Sequence, residues 1–342
     1  MREFTSGTRA CHRSRILLAC ITTLFSCAVA IAQNPPEAIQ PQLSQPLLYW
    51  AYPVNPPSDK NATSAEQAPR QVPGSSAAFS PEQVEDRFNP PDWHPDRHPA
   101  LPDIVAHGHK PNVFACAFCH LPNGQGRPEN ASVAGLPAAY IIQQFADFKS
   151  GVRKGSEPLF LPGFVMGKYE SNSTPEEIKA AAQYFSGLKR KPWIRVVETD
   201  SVPKTHAAGW MLVPDIRAEK EPIGQRIIET AEDIDRCELR DDSSSFVAYV
   251  PPGSLKRGEA LVNTGGAGKT MRCAGCHGPG LKGKGNVPPL AGRSPSYIVR
   301  QLNDIQRGTR AGVATQLMKK PVAKLTLDDM IAIAAYIASQ NP

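Results

Sequence analysis

The sequence predicts a mainly α protein built from two copies of one small helical unit, with non-repeating text before and between them. Three observations carry this reading. The pentapeptide pattern C-x-x-C-H occurs twice, as Cys116-Ala-Phe-Cys119-His120 and Cys273-Ala-Gly-Cys276-His277. The residues that follow each motif repeat at a fixed offset, the signature of a duplicated structural unit. Each copy then ends in an amphipathic segment that opens on threonine with an acid three residues later, which is how a capped helix begins.

The repeat fixes the elements in order. An offset of 157 maps Cys116, Cys119 and His120 onto Cys273, Cys276 and His277, and continues through Tyr140 to Tyr297, Gln144 to Gln301, Asp147 to Asp304 and Arg153 to Arg310. The segments YIIQQFADFKSGVRKG and YIVRQLNDIQRGTRAG are one helix written twice, with Ile141, Ile142, Phe145 and Phe148 at helical spacing before a glycine stop. Further on the offset becomes 152, pairing Thr174 with Thr326, Glu177 with Asp329 and Tyr184 with Tyr336. At that offset Met166 falls on Met318, in stretches (LPGFVMGKY and ATQLMKKPV) that read as loops.

C-x-x-C-H is the covalent haem-attachment pattern. Its two thiols reach the two vinyl groups on one edge of a flat macrocycle, and the adjacent histidine turns under the ring to bind iron. A thioredoxin-like dithiol has no use for the histidine. A single zinc held by both C-x-x-C pairs is awkward when the pairs stand in separate copies. An electron-transfer haem also needs a second axial ligand, and a thioether favours the reduced iron. The paired Met166 and Met318 supply that ligand type, whereas Met330 stands in helical step with Ile333 and Ile337 and reads as core. The axial sets expected are therefore His120 with Met166 and His277 with Met318.

The chain has 342 residues, of which 34 are proline, about twice the average share, so part of it is loop or linker. Residues 1–32 read as a cleaved signal peptide: Arg2, Arg9, Arg13 and Arg15 precede the apolar run Ile16 to Ala32, which closes on Ala30-Ile31-Ala32. Retention of the segment, or a lipoprotein signal at Leu17-Leu18-Ala19-Cys20, are the rival readings. Periplasmic location follows from export, with membrane association only through partners or through an uncleaved or lipidated N-terminus. Without the signal the net charge falls to about +3 from +6, which offers no dense basic patch for nucleic acid. Cysteine falls from eight to five, four in the two motifs and one, Cys237, alone.

With these residues in hand, the chain resembles the two-domain, dihaem class I cytochromes c of bacterial periplasms, over about residues 105–190 and 252–342. The resemblance implies a small bundle of helices around each haem, with domain 1 at 104–190 and domain 2 at 252–342. Leu255 to Asn263 matches the helix that precedes the motif in that family. Pro289 matches the proline whose carbonyl orients the ligating histidine, where the first copy has Ser132, and the first copy's leading helix is replaced by the proline-broken WHPDRHPALPDIVAHGHKP. Arg153 and Arg310 would lie near the haem edge, either as partners of haem propionates or as solvated helix-end residues.

Two segments lie outside the repeat. Residues 33–103 carry fifteen prolines and read as a flexible or extended arm, with a short helix capped by Ser80 and an apolar patch, Leu47 to Val54, that docks on the body or on a partner. Residues 191–251 form a small irregular or β insertion in which Trp193 to Glu198 and Phe246 to Val250 read as short paired strands. Cys237 is either a buried thiol or a haem ligand of the kind found in thiosulfate dehydrogenases, and His94, His98, His107, His109 and His206 are further candidates for an axial position. The function expected is single-electron transfer between redox proteins, with a dehydrogenase or quinol-oxidising complex as donor and an oxidase or reductase as acceptor. The alternatives are an oxidoreductase of the thiosulfate dehydrogenase or peroxidase type, and an electron-transfer subunit of a larger dehydrogenase.

Overall fold

The computed structural model describes residues 48–56, 68–215 and 217–342. The signal-peptide reading and residues 33–47 and 57–67 of the arm lie outside the described residues. Of the patch Leu47 to Val54, all but Leu47 is described, and it docks on the body. Trp50, Ala51 and Tyr52 are buried in the main hydrophobic core. The Tyr52 hydroxyl donates to Asp304 Oδ1 at 2.7 Å and accepts from Asn303 Nδ2 at 2.9 Å, and Arg300 Nη1 donates to the Ala51 carbonyl at 2.6 Å.

Residues 68–103 are not a free arm either. Helix α1 (Pro81–Val84) carries the expected Ser80 cap, completed by Gln83, and α2 (Asp103–Ala106) is a single turn. Val72, Val84 and Trp93 pack with Leu239 of the insertion, and Trp93 Nε1 donates to the Leu239 carbonyl at 2.7 Å. Proline density alone suggested an extended arm. The apolar side chains between the prolines supply the burial that makes it part of the body.

The first copy contains α3 (Cys116–His120), α4 (Ala138–Lys149), α5 (Leu161–Asn172) and α6 (Pro175–Gly187). Thr174 and Glu177 form a reciprocal capping box on α6. Met166, read from sequence as a loop residue, lies within α5. Pro162 looks like a breaker there, but it occupies the first turn, where a missing N–H leaves no helical bond unmade. Tyr184 and Phe185 of α6 pack with Ile141 of α4 and with Ala117, Val105 and Ile104 in a core of this copy's own.

The connecting segment holds all seven strands found among the described residues: β1 (Ile194–Glu198), β2 (Ser201–Pro203), β3 (Thr205–Ala208), β4 (Met211–Pro214), β5 (Lys220–Pro222), β6 (Ile228–Ala231) and β7 (Phe246–Val250). The two segments read as paired strands are β1 and β7. They pair in parallel, Ile194 opposite Phe246 through Glu198 opposite Val250, with β6 antiparallel on the far side of β7. Two short hairpin-like pairs, β2 with β5 and β3 with β4, complete the segment. Helix α7 (Ile234–Glu238), capped by Asp233, carries Cys237. The mainly α expectation thus describes the two copies, while the segment between them is more regular and richer in strand than expected.

The second copy comprises α8 (Ser254–Thr264), α9 (Ala274–His277), α10 (Pro295–Arg307), α11 (Lys319–Val322) and α12 (Leu327–Ser339). Thr326 and Asp329 reproduce the capping box of α6. Met318 closes a 3-10 turn, Val313–Met318, rather than an irregular loop. Met330 is buried in the core beside Ile333 and Ile337, as its helical step implied. Among the described residues no helix is long and apolar enough to cross a membrane.

Helices α8 and α12 approach so closely at Gly258 that an added Cβ would overlap the Ala332 carbonyl. Alanine raises helix propensity over glycine by about 1 kcal/mol, but overpacking costs roughly 1–3 kcal/mol, so the contact decides. Gly258→Ala is expected to lower Tm in calorimetry. A raised Tm would show that the crossing tolerates a side chain.

Candidate haem-binding site and the contact between copies

Helix α3 places Cys116 and Cys119 on one face, one turn apart, with His120 immediately after. They line one cavity of about 1240 Å³ together with Met166 and Tyr169 of α5, larger than the roughly 300–1,000 Å³ of ordinary small-molecule pockets. The His120 Nδ1 donates to the Ala131 carbonyl at 2.8 Å. That bond sets the tautomer and leaves the Nε2 lone pair as the ligating position. Burial holds the His120 pKa below its ordinary value despite the carbonyl, the direction that favours the neutral imidazole a metal site needs.

The second copy repeats the device. His277 Nδ1 donates to the Pro288 carbonyl at 2.8 Å, and burial again lowers its pKa. The acceptor is one residue earlier than expected: the Pro289 carbonyl accepts from Arg293 Nε at 2.6 Å instead. The same one-residue shift applies in the first copy, where Ala131 and not Ser132 faces the histidine. Both acceptors stand eleven residues after their histidine, so the missing proline of the first copy removes nothing from the orienting bond. Met318 is half-buried and packs against the main core, as Cys273 does, while Met271 and Leu317 are exposed.

The thiols are not those of a reactive dithiol. Burial, then the neighbouring Cys119, pushes the Cys116 thiol up to about 12, and burial pushes Cys273 up to about 11, whereas catalytic C-x-x-C pairs have depressed values.

The two copies meet through an antiparallel bridge between Arg153 and Arg310. Lys154 N donates to Thr309 O at 2.8 Å and Ala311 N to Val152 O at 2.7 Å. The guanidinium groups then reach across reciprocally. Arg310 Nη2 donates to the Tyr140 hydroxyl at 2.9 Å and to Gln144 Oε1 at 2.8 Å, while Arg153 Nη2 donates to the Tyr297 hydroxyl at 3.4 Å. Each arginine also bonds the glutamine of its own copy. Burial raises the Tyr140 phenol, and Arg310 and Arg153 pull it below its ordinary value nonetheless. The roles of Tyr140, Tyr297, Gln144 and Gln301 were not legible beforehand, although their recurrence at one offset on the two repeated helices was the available signal.

This contact forms one wall of the cavity, whose lining includes Tyr297, Arg300 and Arg310 of the second copy. Among the described residues neither Arg153 nor Arg310 makes an ion pair with a carboxylate, and Arg310 Nε is buried without a hydrogen-bond partner. Burying a guanidinium without an anion is costly. A large cavity with thiols and an imidazole at one side and guanidinium groups without a carboxylate partner at another suits a flat, apolar macrocycle that carries carboxylates.

The cytochrome c family description matches residues 255–341. The thiosulfate dehydrogenase electron acceptor of Stutzerimonas stutzeri (strain A1501) is 30% identical over 236 residues, covering 68% of this chain and 82% of that protein. Cytochrome c4 of Azotobacter vinelandii is 30% identical over 235 residues, covering 65% and 82%. The chain belongs to the dihaem class I cytochromes c. The crystal structure of reduced recombinant cytochrome c4 from Pseudomonas stutzeri aligns with a TM-score of 0.41 and 22% identity over 66% of this chain and 93% of that one. The cofactor of this cytochrome is covalently bound haem c, in two groups.

The remaining candidates for axial positions fall elsewhere. Cys237 is buried with Trp193, Met211 and Phe246, its sulfur 4.0 Å from Met211 Sδ, and it is not among the cavity-lining residues. His94 and His98 bond Asp241 and Asp92, His107 bonds Asn89 and His109 bonds Glu177, and His206 stands 3.4 Å from Asp215. Burial raises the Cys237 thiol to about 11, which opposes a thiolate role. Cys237→Ala is expected to leave the visible spectrum of the loaded cytochrome unchanged and to cost on the order of 1–2 kcal/mol in urea unfolding. A changed haem spectrum would return Cys237 to the site.

Proposed function

We propose that this cytochrome is an exported electron carrier that takes electrons from a dehydrogenase and passes them, through two His/Met-ligated haems in one chain, to an oxidase or reductase. The observation that carries this reading is the single cavity that Cys116, Cys119, His120 and Met166 line, bounded on the other side by the cationic contact between copies. Haem c supplies one-electron iron chemistry when bound. The residues would supply the rest: Cys116 and Cys119, and Cys273 and Cys276, would carry the covalent attachment, and His120 with Met166, and His277 with Met318, would hold the iron. Arg153 and Arg310 receive propionate carboxylates, for which the unpartnered Arg310 Nε is a waiting donor.

If the methionines hold the iron opposite the histidines, no position would remain for a substrate at the metal, which favours carrier over enzyme. The carbonyl-fixed histidines support the same view, because a ligand held by a second hydrogen bond changes little between oxidation states. The donor proposed is a dehydrogenase acting on a reduced sulfur compound, by analogy with the Stutzerimonas relative named as an electron acceptor of thiosulfate dehydrogenase. Residues 1–32, read as an export signal, would direct the protein to the periplasm.

The test uses the haem-loaded, full-length protein. Met166→Ala plus Met318→Ala is expected to abolish the weak far-red sulfur-to-iron absorption and to lower both midpoint potentials. Thiosulfate with thiosulfate dehydrogenase is expected to reduce the wild type on mixing, and thiosulfate alone is not. Reduction by thiosulfate alone would make the protein an enzyme in its own right, and a retained sulfur band would sink the methionine assignment.

A further inference from the structure

Away from the haem cavity, three side chains from two segments of the chain converge in the interior. His94, Asp241 and Asp242 are all buried, and one ligand atom from each lies within 4.8 Å of the other two. His94 Nε2 stands 3.2 Å from Asp241 Oδ1 and 3.7 Å from Asp242 Oδ1, with the three side chains 0%, 0% and 4% exposed.

The charges do not balance within the cluster. Arg236 neutralises Asp241, donating through Nε to Oδ2 at 2.7 Å. Asp242 has no such partner, and its Oδ1, aimed at His94, is buried without a hydrogen bond. A proton on His94 would balance the charge but would leave Asp242 without a hydrogen bond. It gives Nε2 one hydrogen, which the closer Asp241 takes, and Asp242 Oδ1 at 3.7 Å stays beyond hydrogen-bond reach.

We propose that His94, Asp241 and Asp242 form a structural site for a divalent transition-metal ion of the zinc type. Ligand atoms bound at about 2.0–2.2 Å around a tetrahedral ion stand roughly 3.3–3.6 Å from one another, close to the 3.2 and 3.7 Å between His94 Nε2 and the two carboxylates. An ion between them satisfies both carboxylates at once. An imidazole among the ligands selects zinc-like ions over calcium or magnesium, which prefer all-oxygen shells. The supporting bonds are those of an oriented ligand: Ser243 N donates to Asp241 Oδ1 at 2.8 Å while Arg236 holds the other oxygen.

The site would fasten the N-terminal segment, through His94, to the insertion, through Asp241 and Asp242. The insertion is in turn bonded to the first copy. Asn123 Nδ2 donates to the Asp242 carbonyl, Gln125 Nε2 donates to Ser244 O at 2.8 Å, and Arg240 Nη1 donates to Phe118 O, inside the first haem motif, at 3.0 Å. The ion therefore buttresses the wall behind Cys116–His120 without touching haem.

The experiment titrates zinc chloride into chelator-treated, haem-loaded full-length protein, with metals counted against the two haem irons. One zinc per chain is expected, with Tm raised on the order of 5 °C at a hundredfold excess over Kd. Asp242→Asn, which keeps the shape, is expected to lose both effects while retaining its haem spectrum. No zinc in the wild type, or equal zinc in Asp242→Asn, would overturn the proposal. Should the variant not fold, zinc-edge X-ray absorption of the wild type decides: nitrogen and oxygen neighbours near 2.0 Å with an imidazole signature support the site, and sulfur neighbours overturn it.

Discussion

A buried guanidinium, Arg310, and a half-buried one, Arg153, face one another where the halves of this cytochrome meet, and the contact between the copies is arranged around them. Arg153 and Arg310 sit in a shared antiparallel bridge, and each is lowered in cost by a phenol from the opposite copy and a glutamine from its own. Neutral oxygen acceptors solvate a cation but do not neutralise it. The charge is left without an anionic partner on the cavity side, where Arg310 Nε has no hydrogen bond. The groups that join the copies are thereby also groups that line the cavity.

The same logic explains why the duplication persists in detail. A repeat kept only for its helical core would drift at polar positions. Here Tyr140 and Tyr297, Gln144 and Gln301, and Arg153 and Arg310 recur because each copy must present the same hand to the other. The first copy has lost its long leading helix and the second histidine-flanking proline, yet the carbonyl that fixes each imidazole is preserved at the same distance along the chain. A backbone acceptor depends on the loop's path and not on the side chain that happens to stand there.

Much of this was legible in sequence, and the failures have physical causes. The motif helices, both capping boxes and the pairing of Trp193–Glu198 with Phe246–Val250 follow from spacing and composition. Met166 was misplaced in a loop because proline and two glycines lower helix propensity locally, whereas the first turn of α5 tolerates Pro162. The arm was misjudged because proline content speaks to backbone freedom and says nothing of where Trp50, Tyr52 and Trp93 find their partners. The Pro288 acceptor was missed by one residue, since alignment of side chains does not report which carbonyl points inward. The cluster of His94 with Asp241 and Asp242 joins residues about 150 apart, a proximity that no local pattern encodes.

The docking of Tyr52 on α10 closes the molecule on itself. Its hydroxyl bonds Asp304, a residue 252 positions later, and Arg300 of the same helix holds the Ala51 carbonyl. Contacts of such long range close large loops, whose ordering costs entropy. The segment around Tyr52 thus works as a clasp: the core of the second copy is complete only when a distant stretch of the chain lies across it.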